Sequence, residues 1–201
     1  MPTALRKPIT IGPEYQGRRM TLDQFDRATT RDDRLFELNK GIIEMVDVPQ
    51  PRHLQQVLAV RNQLVLYQEA NPGVIHSITG SFDSKVLIAS AQSERHPDLS
   101  VYLSPPPDVE DVWSLWIPEI VIEVVSPSSS RRDYHDKPGE YLEFGIDEYW
   151  IIDAQKQQMT AMTRWRGQWK PKILKPSQKY TTRQMPGFTL DLSRVISAGR
   201  G

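Results

Sequence analysis

Asp98, Glu123 and Lys137 are of the types, and in the local settings, from which metal-assisted chemistry is built. Pro97-Asp98 opens one strand-like segment. Glu123 interrupts the run Ile120-Val121-Ile122-Glu123-Val124-Val125. A nearly all-apolar strand belongs in the buried centre of a sheet, and a glutamate inside it is out of place unless it is paired or binds a cation. Two carboxylates on neighbouring strands can hold Mg²⁺ or Mn²⁺, hard cations that favour oxygen. Such a cation polarises a phosphoryl oxygen and acidifies a bound water. Lys137 could orient that water or neutralise charge developing on a phosphate. Taken singly the signals are ordinary, because Pro-Asp commonly starts a strand and a lysine near a helix start is commonly solvated.

Other chemistries are less well served. Ser126-Pro127-Ser128-Ser129-Ser130 lacks the Gly-x-Ser-x-Gly setting of a hydrolase nucleophile. It reads either as a phosphate-binding loop near Arg131 and Arg132 or as a plain strand-to-helix connection. His53, His76 and His96 have no zinc spacing. The five tryptophans read as core or interface residues, except that Trp165 and Trp169 alternate with Arg164, Arg166 and Lys170, a mixture suited to nucleic acid.

The positioning elements follow from periodicity. Thr21–Thr29 suits a short helix capped by Thr21. Asn39-Lys40-Gly41 turns a hairpin between 35–38 and 42–46. Apolar spacing from His53 to Ala70 fits an amphipathic helix stopped by Asn71-Pro72-Gly73. Strands are expected near 74–78, 84–88, 98–103 and 120–125. A helix over 136–144 comes next, ending at Gly145, and then strands at 149–152, 159–164 and 169–174. Pro138 requires that helix to begin near Asp136, or to kink if it starts at Asp133. The order predicts an α/β (α+β) fold with a mixed β-sheet flanked by helices and additional C-terminal antiparallel strands. Residues 1–19, with three prolines, read as a loose leader, 20–196 as a single domain and 197–201 as a tail.

The chain has 201 residues, no cysteine, and 25 basic against 25 acidic residues. Absence of cysteine removes thiol and disulfide chemistry and suits a reducing cytoplasm. No apolar run approaches the roughly 20 residues of a membrane span. Zero net charge argues mildly against strong non-specific nucleic-acid binding, yet it hides an asymmetry. Asp98–Asp153 holds thirteen acids and three bases, whereas Thr160–Gly201 holds nine bases and one acid. Two unlike solvated surfaces would explain this, and so would a cation-collecting centre beside a basic rim.

One combination of motifs is far more specific than its parts. Phe36-Glu37-Leu38, His53, Pro97-Asp98-Leu99, Ile122-Glu123-Val124-Val125-Ser126-Pro127-Ser128-Ser129, then Asp133, Lys137, Tyr141 and Gly145-Ile146-Asp147-Glu148-Tyr149-Trp150-Ile151-Ile152-Asp153 follow in order, closing with Pro186-Gly187-Phe188. From Met20 to Ile196 the chain resembles the Uma-type restriction endonuclease family of the PD-(D/E)xK nuclease superfamily. That resemblance implies a restriction-endonuclease-like core, DNA as substrate and Mg²⁺ (or Mn²⁺) as cofactor. It implies Asp98, Glu123, the Val124 carbonyl and Glu37 as metal ligands, and His53 either as a proton shuttle or as a polar first-turn residue. The superfamily lysine lies two residues after the glutamate, where this chain has Val125, so the resemblance moves that role to Lys137. A homodimer would suit cutting both strands. A nuclease fold retained as a binding module, or as a structural partner in an assembly, is the alternative.

Overall fold

The computed structural model describes residues 8–31 and 34–199. In chain order the elements are β1 (Thr10–Ile11), α1 (Leu22–Asp26), β2 (Thr29–Thr30), β3 (Phe36–Asn39), β4 (Ile42–Met45), α2 (Pro51–Ala70), β5 (Ser77–Gly80), β6 (Val86–Ile88) and β7 (Ser93–Arg95). They continue with β8 (Leu99–Tyr102), β9 (Ile120–Val124), α3 (Lys137–Phe144), β10 (Glu148–Asp153), β11 (Gln158–Trp165), β12 (Gln168–Leu174), β13 (Lys179–Tyr180), β14 (Leu190–Asp191) and α4 (Leu192–Ser197). Two compact units emerge: Met1–Val48 with Leu87–Arg95, and Pro49–Val86 with His96–Gly201.

In the first unit the expected hairpin forms as β3–β4. Lys40 and Gly41 both take positive φ (51° and 77°), the paired left-handed turn that matches strand twist. The sheet order is β4-β3-β7-β6. Thr21 caps α1 through a reciprocal capping box with Gln24, and α1 ends at Asp26, earlier than its sequence suggests. Phe25, Phe36, Leu38 and Ile43 form the core with Ile11. Ile11 lies in the stretch read as a leader. There Thr10–Ile11 pairs in parallel with Thr29–Thr30, while residues 1–7 lie outside the described residues.

The second unit is built on a six-stranded sheet ordered β12-β11-β10-β9-β8-β5. Only β9 and β10 are parallel within it, and α3 lies on their connection. This is the expected mixed sheet with helices on its faces. Strand periodicity of two sorts the side chains. Ile120, Ile122, Val124, Trp150 and Ile152 form one core with Val60 and Leu64 of α2 and with Val195 and Ile196 of α4. On the alternate face, Tyr149 meets Tyr141 of α3 edge to face, with centroids 5.0 Å apart. Glu123 belongs to that second face.

The segment before α3 resolves the Pro138 question. Helical turns begin at Ser130, earlier than either expected start, and contain a π-helical turn over Arg132–Asp136. In that turn the Lys137 N–H bonds to the Arg132 carbonyl. The next residue in the same pattern is Pro138, which has no N–H to give Asp133. The Tyr149 hydroxyl donates to the Asp133 carbonyl instead, at 2.9 Å. Such π-bulges bend helices and concentrate at functional sites. Among the described residues no helix is long and apolar enough to cross a membrane.

Candidate active site

Antiparallel pairing of β8 with β9 sets Leu99 against Ile122, so one step further along the register Asp98 stands against Glu123. Like charges directly opposite across strands repel, and the structure shows what holds them. Asp98 Oδ2 accepts the Val124 N–H at 2.8 Å. His53, from the first turn of α2, places Nε2 3.1 Å from Asp98 Oδ2 and 2.8 Å from the Val124 carbonyl oxygen. A carbonyl oxygen can only accept, so Nε2 carries the hydrogen. Burial pulls the His53 imidazole down, but the hydrogen bond and charge of Asp98, the Val124 carbonyl and Glu123 outweigh it, and the net displacement is upward.

Glu123 is 4% exposed. Its Oε1 accepts from Lys137 Nζ at 2.7 Å and from the Tyr141 hydroxyl at 2.8 Å. Burial pushes its carboxyl up to about 8; Lys137 opposes the shift, and Asp133 and Asp98 add to it. The Lys137 ammonium also lies 3.1 Å from Asp133 Oδ1. Asp133 is 1% exposed, and its Oδ2 accepts from the Ser129 hydroxyl at 2.6 Å. Asp133, Lys137 and Tyr141 are spaced four apart, which puts all three on one helix face. The π-turn sets where along the sheet that face falls. Val125 projects from the same strand face as Glu123. Lys137 brings an ammonium to that face from the helix above it.

Asp98 and Glu123 contribute carboxylate oxygens, and the carbonyl of Val124, the residue after Glu123, shares the His53 Nε2 with Asp98. That is a hard-oxygen donor set. Mg²⁺ ordinarily takes one or two carboxylates and keeps several waters, so two acids and a carbonyl fit it better than a full protein cage. Among the described residues no group of three His, Cys, Asp or Glu side chains that could hold a metal ion occurs. The structure thus groups His53, Asp98, Glu123, Val124 and Lys137. Glu37 lies in the first unit, 3% exposed, where Arg95 Nη1 donates to its Oε2 at 3.1 Å and Arg95 Nη2 to Asn39 at 2.7 Å.

Sequence reasoning gave no role to Asp133, Ser129 or Tyr141. The four-residue spacing Asp133-Lys137-Tyr141 was the available signal. The Ser126–Ser130 loop is occupied internally: Ser126 and Ser129 exchange backbone-to-hydroxyl bonds at 2.9 and 3.1 Å, the pattern of a connection that starts a helix. His96 Nδ1 bonds to the Ser81 and Ser84 carbonyls. Trp150 is core, Trp116 stacks on Tyr102, and the Trp169 indole donates to the Pro138 carbonyl at 2.7 Å.

Residues 22–193 match a family model described as Uma2, "Putative restriction endonuclease". A crystal structure described as a "putative nuclease belonging to DUF820" from Anabaena variabilis superposes with a TM-score of 0.73 at 20% identity, over 90% of this chain and 99% of the other. The likeness establishes a shared fold. No curated protein matches the chain. With most of its length matched, the chain belongs to the Uma2 family.

Proposed function

Taking that membership as premise, we propose that the protein is a divalent-metal-dependent endonuclease that hydrolyses DNA phosphodiester bonds. The observation that carries this reading is the facing pair Asp98 and Glu123, two carboxylates on adjacent strands met by one histidine and one lysine. In this reading both acids and the Val124 carbonyl hold Mg²⁺ or Mn²⁺. The bound cation supplies Lewis acidity to the phosphate and lowers the pKa of a water. Tyr141 fixes Glu123 from the helix side. Lys137 offers a mobile positive charge beside the phosphate, and its long stem allows approach from a helix rather than from the strand. Asp133 is a positioning residue: when Glu123 turns to a cation, the ammonium keeps a carboxylate partner within the same pocket. His53 holds the Val124 carbonyl and Asp98 in register and carries a proton at Nε2. Glu37 takes no metal in this reading, because Arg95 already neutralises it.

Plasmid cleavage with Mg²⁺ or Mn²⁺ tests the reading. Wild type should nick or linearise the substrate, and Asp98→Ala and Glu123→Ala should each reduce the rate by about a hundredfold or more, the scale of losing one electrostatic stabiliser. Full-rate cleavage by either variant would sink the assignment. DNA binding by a wild type that never cleaves would favour a module that keeps the fold without the chemistry.

A further inference from the structure

From Ala154 to Leu190 the chain contains eight lysines and arginines and not one acid. The centre of that stretch is the β11–β12 hairpin. β12 is the edge strand of the six-stranded sheet, and residues 163–168 and 170–173 are exposed. The turn is a tight one, with Arg166 and Gly167 at φ 51° and 74°. Exposure on both sides of the outer part makes it a two-stranded ribbon. Lys170, Lys172 and Pro171 have an ordinary explanation, since lysine and proline blunt an edge strand against pairing with another chain. Trp165 and Arg166 do not, because β11 is not the edge.

Trp165 is 49% exposed. Lys170 Nζ lies 4.7 Å from the centre of its ring and the Arg166 guanidinium carbon 5.7 Å. Cross-strand pairing of Thr163 with Lys170 puts Lys170 on the same face as Trp165, one step along. The indole therefore gathers two cations that would otherwise swing freely, at the ring-centroid range of cation–π contact. Trp169 has the other job. Its indole N–H grips the Pro138 carbonyl, which anchors the ribbon to α3 on one face, while Trp165, Lys170 and Lys172 project from the other.

We propose that the β11–β12 ribbon is a docking surface for the phosphate backbone of duplex DNA, with Arg166, Lys170 and Lys172 as its contacts and Trp165 as the platform that pre-arranges the first two. The proposal rests on the nuclease reading for its ligand and names the surface that would hold it. Charge complementarity selects the occupant: a run of cations without a carboxylate suits a polyanion, and fixed positions spare the ordering cost of long side chains. Recognition here is indifferent to sequence.

The test is the fluorescence anisotropy of a labelled duplex of about 20 base pairs, titrated in EDTA over a range of salt, so that cleavage plays no part. Each lost phosphate contact flattens log K against log salt by about one. Arg166→Gln/Lys170→Gln/Lys172→Gln should flatten the slope by about three, and Trp165→Ala should weaken binding while leaving most of the slope. A control triple at exposed cations outside that stretch, Arg18→Gln/Arg19→Gln/Arg61→Gln, should leave both nearly unchanged. Circular dichroism melting shows whether each variant is folded. Unaltered binding by the ribbon triple overturns the proposal, as does an equal loss in the control triple or failure of the wild type to bind. Preference for a single strand with Trp165→Ala as the dominant loss also overturns it, in favour of base stacking. Cleavage is scored separately: a wild type that binds through the ribbon but never cuts fails the nuclease reading and leaves the surface standing.

Discussion

Two buried ionic networks, one in each unit, use the same kinds of groups to opposite ends. In the first unit Glu37 meets the Arg95 guanidinium, whose second nitrogen is taken by Asn39. In the second, three carboxylates (Asp98, Glu123 and Asp133) share one lysine and one histidine. The first centres on a guanidinium whose charge is permanent, as a structural partner must be to offset the desolvation of a buried carboxylate. The second holds more negative charge than its partners neutralise. A protein keeps such an excess where a cation or a proton is going to arrive, and perturbed groups collect at such places. Burial of a carboxylate therefore says little by itself; whether its partner is permanent says more.

The contrast predicts different responses to removal. Arg95→Met strips the buried Glu37 of its guanidinium, and urea denaturation should show a loss of about 3–5 kcal/mol. A loss under about 1 kcal/mol would place the first network outside the structural class.

Glu123→Gln should behave the other way. Its Lys137 keeps Asp133, and glutamine matches the protonated carboxyl in shape and charge, so near pH 4.5 in chelator stability should change by less than about 1 kcal/mol. What should vanish is stabilisation by Mg²⁺, which for a wild type at a hundred times Kd amounts to about 2.7 kcal/mol. pH sharpens the same variant. The Glu123 carboxyl is raised from 4.5 to about 8 in the fold, so the folded state holds a proton that the unfolded chain releases. Its contribution is full below about 4.5 and fades as pH rises toward about 8. Wild type in chelator should show that decline, and Glu123→Gln should lack it. Parallel pH curves for the two proteins would remove Glu123 from the account.

How much of this was readable in advance depended on whether the cause was local. Glu123 stood out because five apolar neighbours surround it, and the Lys40-Gly41 turn because a two-residue hairpin demands those conformations. The α2 helix and the mixed sheet followed from periodicity, although α2 buries Gln56, Val60 and Leu64 and leaves Leu54 exposed. β7 was not legible: Ser93-Glu94-Arg95 looks like a solvated loop, and is buried only because β3 and Glu37 supply its partners. Asp133 stood in the sequence only as a motif position, and its role was hidden for a different reason. The π-turn shifts helical phase by one residue, and the Asp133 carbonyl that Pro138 leaves without an N–H is satisfied by Tyr149 from a strand further along the chain. Trp165 and Trp169 were indistinguishable in composition; only packing separates the anchor from the exposed ring.

The smallest effect probes the inside of the second network. Asp133→Asn retains the shape of the side chain and an acceptor for Ser129 but removes the second carboxylate from Lys137. The ammonium is then left with Glu123 alone and competes there with a cation. Calorimetry should find Mg²⁺ affinity reduced by about threefold to tenfold, a coupling of roughly 0.7–1.4 kcal/mol, with little change in melting temperature. Loss of a negative charge nearby would lower affinity too, so the decisive measurement is the same substitution in a Lys137→Met background. If Asp133 acts by holding the lysine, the penalty disappears when there is no lysine to hold. If the penalty persists undiminished, Asp133 attracts the cation by its own charge, and its assignment as a positioning residue for Lys137 is wrong.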